Sequence, residues 1–212
     1  MTMRSSVFAA IVVSIFPSVL AGEETTFDRA LHLAHSGKAA AAASMFQSLA
    51  EAGDASAKAN LAVLLARGQG IPQDEQSAAF WAWRARLAGE TRVADLGTHL
   101  LDRLTVSARN EVADRLIAAF LNEGKDGQAG AYLAIGRVEM EVRRPARPKE
   151  AAVWFNLAAA LDVPYAIALR DVALEGMDAK TRLSIQQRTR DEFSEWCGKA
   201  VNDDRWYTCP TN

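Results

Sequence analysis

Ala78, Trp81, Ala85 and Gly89 recur with the same internal spacing as Ala151, Trp154, Ala158 and Asp162, 73 residues further along the chain. That distance is two units of about 36 or 37 residues, and a period of this size is the mark of stacked repeats. One helix pair cannot bury its own apolar face, so a repeating chain carries the same pattern of small and large residues again and again. A tryptophan one turn from two alanines is a large knob beside small holes, the arrangement that lets two helices approach. Trp81 and Trp154 are therefore expected to be structural.

The rest of the sequence reads as helix. Alanine, leucine, glutamine, glutamate and arginine dominate, and all lose little freedom in a helix. Strand-length runs of β-branched residues are absent after the first twenty or so positions. Glycines and prolines fall at intervals, as punctuation. The spacing predicts helices over about Phe27 to Ser36, Ala39 to Ala52, Ala55 to Arg67 and Asp74 to Ala88, then Thr91 to Arg103 and Val106 to Asn122. Gly124-Lys125-Asp126-Gly127 is expected to break the sixth. Four more follow: about Gln128 to Val142, Lys149 to Leu161, one from Pro164 to near Gly176, and Thr181 to Cys197. Thr25 or Thr26, Asp54, Asp74 and Thr105 stand where N-caps belong. Gly68-Gln69-Gly70-Ile71-Pro72 raises a separate possibility, a phosphate cradle. Such a loop usually follows a strand, whereas a helix precedes this one. A turn is the reading taken, with one or both glycines at positive φ.

The segment Gly53 to Glu90 resembles the Sel1-like repeat, a relative of the tetratricopeptide repeat. The residues that carry the resemblance are Ala57, Leu61, Ala62, Leu65, Gly68, Gly70, Ile71, Asp74, Ala78, Trp81, Ala85 and Gly89, with Arg86 where the family has a second closing alanine. A partial second match runs from Ala131 to Asp162 through Ile135-Gly136, Ala151, Trp154 and Ala158, but without the Gly-x-Gly. The resemblance implies an all-α fold, a right-handed α/α solenoid of antiparallel helix pairs with about ten helices in all. It also implies a role as an adaptor or regulator that binds other proteins of the bacterial envelope.

Trp83 lies far around its helix from Trp81. It either packs on the next unit or serves as a partly exposed aromatic anchor on a binding surface. Arg84 and Arg86 flank this helix, Arg67 precedes the Gly68–Pro72 turn, and Arg143, Arg144 and Arg147 lie at the equivalent turn of the later unit; they are candidates for a carboxylate-bearing partner, a solvated face being the plainer reading. His32 and His35 share a helix face and His99 stands apart, which is too few ligands for a zinc site. Glu139 and Glu141 precede the arginine-rich turn, but no nucleophile elbow or phosphate loop accompanies them. No catalytic, cofactor or metal residue is expected.

Arg4 followed by an apolar run from Val7 to Leu20 reads as a signal peptide over residues 1–21, cleaved after Ala21. An uncleaved anchor is the alternative. After cleavage no stable membrane span is expected. Residues 22–197 then form the helical domain and 198–212 a tail. Export permits a Cys197–Cys209 disulfide that staples this tail as a cap, free thiols being the alternative. The net charge of −2 is built from interspersed signs, so nucleic acid is not an expected partner. The expected function is an exported module that binds a peptide or helix of an envelope protein on its curved surface. The alternatives are a cell-wall-related enzyme on the same scaffold and a structural subunit of an envelope complex. The oligomeric state is not legible.

Overall fold

A computed structural model describes residues 25–200, and within them the chain is all-helical, with no strand. The helices are α1 (Thr26–His35), α2 (Ala39–Glu51), α3 (Ala55–Arg67), α4 (Glu75–Leu87), α5 (Ala94–Arg103), α6 (Val106–Lys125), α7 (Gly130–Arg137), α8 (Pro148–Ala160), α9 (Ala166–Ala173) and α10 (Ala179–Ala200). A π-helical segment, Val138–Val142, continues α7 without a break. The expected leader, residues 1–21, and Cys209 lie outside the described residues.

Local chemistry sets most of the starts. Thr25 and Asp28 form a reciprocal capping box on α1. Asp54 accepts from the Ala57 N–H at 2.7 Å, Asp74 from the Ser77 N–H at 2.9 Å and Thr105 from the Ala108 N–H at 3.2 Å, each satisfying one orphan donor of a first turn. Gly68 closes α3 in the left-handed region at φ 65°. Gly70 is held more tightly still. Its φ is 74°, and a Cβ placed there would lie 2.2 Å from the backbone of Ala39 at the start of α2. Thus the α3–α4 turn is a packed corner that only glycine fits.

Packing follows the order of the chain. Each of α1 to α3 packs on the next helix, α4 packs on both α5 and α6, α6 on α7, α7 on α8, and α8 on both α9 and α10. The helix boundaries also recur: α8 starts and ends 73 residues after α4 (148 against 75, 160 against 87), and α10 starts 73 after α6 (179 against 106). The main core runs through Phe46, Leu61, Trp83, Leu101, Leu116 and Ile135, while buried alanines such as Ala57, Ala78 and Ala158 allow close approach.

The structure corrects four expectations. Trp83 is only 2 % exposed and belongs to the core, so it is no surface anchor, while Trp81 and Trp154 are partly buried and packed against that core. The reason is that α4 packs against α3, α5 and α6, so more than one of its faces must be apolar. Second, Arg143 is 4 % exposed and is not free for a partner. Its guanidinium is paired with Glu139 at 2.9 Å and with Asp114. Third, α6 runs through Gly124 to Lys125 rather than stopping there. Gly124 is a close-contact residue against the Tyr132 ring, and Gly127, at φ 92°, marks the actual turn.

Fourth, the helix expected over Gln128 to Val142 is α7 followed by the π-helical segment. Glu141 and Val142 close the helical run, and the carbonyls of a last turn have no partners within it. The buried Arg109 of α6 supplies them: its Nε donates to Val142 O at 2.6 Å and its Nη2 to Glu141 O at 3.0 Å. Beyond it the chain turns through a cis Arg144–Pro145 bond, and the Arg147 N–H returns to Glu139 O at 2.9 Å.

Candidate functional site

Lys58 stands on the first turns of α3, on the same helical stripe as Leu61 and Leu65, and is only 5 % exposed. An ammonium on an apolar stripe must find oxygen. Lys58 Nζ donates to Gly53 O, the carbonyl just before its own helix, at 2.9 Å. Burial pushes its pKa below the usual 10.5, and the nearby Arg84 guanidinium pushes the same way, against the pull of Glu123 and Asp54.

Arg84 comes from the last turn of α4, its side chain 11 % exposed. Its guanidinium lies over the Phe120 ring of α6, 4.8 Å from the centroid, and Nη2 pairs with Glu123 one turn further along α6. Nε and Nη1 are fully covered, and neither has a hydrogen-bond acceptor in the protein. Buried donors are nearly always satisfied, so two on one side chain call for an explanation.

Lys58, Arg84, Phe120 and Glu123, with Gly53 and Ala131, line one cavity of about 480 Å³ between α3, α4, α6 and the start of α7. Two cations there share one lining carboxylate, so the cavity favours a single negative charge. A carboxylate suits it in charge, and charge-assisted hydrogen bonds are among the strong ones.

The fold does not require this polarity. At the positions 73 residues further along stand Ala131, Leu157 and Trp196, all buried. The same frame is thus built once around Lys58, Arg84 and Glu123 and once around three apolar side chains. Burying charges where apolar residues suffice is unfavourable for stability, which points to a use for them.

The other candidates from the sequence do not join this cavity. Arg67 is exposed and lines a separate cleft with Ala39 and Gly70. Arg144 is exposed and donates to the carbonyls of Glu141 and Arg143 at 3.3 and 3.0 Å. Arg147 is exposed beside the start of α8. Glu139 is buried with Arg143, and Glu141 is held by Arg137 at 2.7 Å and Arg86 at 3.1 Å. His32 and His35 are exposed in the last turn of α1. Lys58 and Glu123 escape the sequence reading, although a lysine on the Leu61–Leu65 stripe is a signal that could have found the first. No helix among the described residues is long and apolar enough to cross a membrane. No family model matches the chain, and no curated protein matches it either.

Proposed function

We propose that this chain is an exported helical-repeat adaptor of the Sel1-like kind, which holds an acidic peptide segment of an envelope protein with one carboxylate seated beside Lys58 and Arg84. The observation that carries this reading is the pair of cations, Lys58 and Arg84, that line one cavity with a single lining carboxylate, Glu123. The chain-order packing of the helices and the 73-residue recurrence of their boundaries support a solenoid on which such a groove would lie, and the Sel1-like resemblance implies its right-handed sense. The apolar leader supports export.

Isothermal titration with a capped peptide of alternating alanine and glutamate, and with its glutamine counterpart, tests the reading. The glutamate peptide is expected to bind at least tenfold tighter than the glutamine peptide. That preference should weaken only modestly with added salt, because largely buried charges are screened much less than exposed ones, and should vanish in Arg84→Leu. Equal binding of the two peptides, or a preference that survives Arg84→Leu, contradicts the carboxylate site.

A further inference from the structure

The cavity that Lys58 and Arg84 line has a volume of about 480 Å³, within the span of small-ligand pockets, roughly 300–1,000 Å³. A carboxylate alone fills a small part of that space. The charges of the lining are confined to three of its walls. Lys58 comes from the first turn of α3, and Arg84 and Glu123 come from the last turns of α4 and α6. The α7 wall carries no charge: it is made by Gly130, Ala131, Leu133 and Ala134. Leu87 on α4 and Phe120 on α6 extend the apolar surface. Phe120 has Arg84 lying over its ring, so the charged corner and the apolar wall meet there. Gln128, exposed just before α7, is the remaining polar side chain of the lining.

The two parts of the cavity make different demands. Lys58 and Arg84 call for a negative charge, while water against Leu87, Phe120 and Leu133 is displaced favourably by hydrocarbon. A carboxylate on a polar body meets only the first demand, and a neutral hydrocarbon only the second. An acid within an extended peptide does little better, because successive side chains point to opposite faces and its neighbours do not enter the same concavity. An occupant that meets both demands carries the carboxylate and the apolar group on one short carbon frame.

We infer that this cavity takes a monocarboxylate whose carbon frame is apolar, with the carboxylate beside Lys58 and Arg84 and the hydrocarbon against Leu87, Phe120 and Leu133. The inference rests on the carboxylate reading above and adds the chemistry of the body to which that carboxylate is attached. Two sources share this chemistry: a free short-chain acid, and the last residue of a polypeptide, where the carboxylate and the side chain leave the same carbon.

A ¹H–¹⁵N NMR titration of the full chain with acetate, butanoate and hexanoate, and with hexanamide, tests the inference. Each added methylene should tighten binding about two- to fourfold, so that hexanoate binds about tenfold or more tighter than acetate, with saturable shifts at Ala131 and Leu133 as well as at Lys58. Hexanamide should bind about tenfold or more weaker than hexanoate, since it forgoes the charge-assisted bonds. Leu133→Asn, at a partly buried position of α7, should cut the hexanoate-to-acetate ratio roughly threefold or more. Equal affinity from acetate to hexanoate, or an unchanged ratio in Leu133→Asn, overturns the apolar seat and leaves the carboxylate reading standing. Hexanamide bound as tightly as hexanoate marks a failure of the carboxylate reading itself, and the inference falls with it. N-acetyl-leucine set against hexanoate separates the two sources: tighter binding of the first assigns the end of a polypeptide, and tighter binding of the second a free acid.

Discussion

Lys58 carries a charge that its surroundings discourage. A lysine whose pKa is lowered by folding binds its proton less tightly in the fold than in the unfolded chain, where the value is 10.5. Below the lowered value the buried ammonium therefore costs stability, and this cost fades as the pH rises through that value towards 10.5. Lys58→Met is accordingly expected to be more stable than the parent near neutral pH, with the gap closing on approach to 10.5, as read by urea unfolding at a series of pH values. Carboxylate binding runs the other way and should decline over the same alkaline range as Lys58 loses its proton. The decline should be partial, because Lys58 is one of two cations that line the cavity. Trp83 shows the limit of reading single residues. Its place on a helical wheel tells that it faces away from Trp81, but only the packing of α5 and α6 on α4 tells that this second face is also buried.

At the scale of elements, the starts of α1, α3, α4 and α6 are legible in the sequence because each cap is a local bond, from one side chain to a backbone N–H three residues on. The π-helical segment is not legible. Its last two carbonyls are satisfied by Arg109, more than 30 residues earlier in the chain, and no periodicity announces a partner so distant. The site divides along the same line. Arg84 can be picked out beside its turn, whereas the Arg84–Glu123 contact joins residues 39 apart and exists only because α6 lies on α4. The Gly68–Gly70 corner is local in its φ values and non-local in its fit against Ala39. Gly70→Ala incurs both penalties, and a loss of about 2–4 kcal/mol in unfolding free energy is expected. Gly37 has a positive φ but open space around it, so Gly37→Ala should lose only about 1 kcal/mol. Chemical denaturation of the two variants side by side measures the difference, and equal losses would mean that the Ala39 contact is not close.

Across the whole molecule, one frame carries two different interiors. Lys58, Arg84 and Glu123 correspond by position to Ala131, Leu157 and Trp196, while Trp83 corresponds to Asn156. A stability difference follows from the first correspondence. Replacing a partly buried ion pair with apolar residues of suitable shape is neutral or favourable by about 1–4 kcal/mol. The triple variant Lys58→Ala, Arg84→Leu, Glu123→Trp should therefore melt at or above the parent temperature while losing the preference for the glutamate peptide. Glu123→Gln alone leaves Arg84 without its counter-charge and should melt below the parent. A second expectation concerns the C-terminal end, where Cys197 packs against the core from α10 and Cys209 lies beyond the described residues. The unreduced protein should take up no thiol-alkylating reagent by intact mass, and two alkyl groups after reduction. Alkylation without reduction would rule out the Cys197–Cys209 staple.

The account rests on Lys58 and Arg84 together holding a carboxylate in the cavity they line. The most direct measurement follows the Arg84 Nε–H resonance in the parent protein during titration with acetate, and separately with acetamide. A saturable downfield shift with acetate alone, accompanied by shifts at Gly53 and Lys58, is the predicted result. An Nε–H resonance that ignores acetate, or moves equally with both compounds, would contradict it.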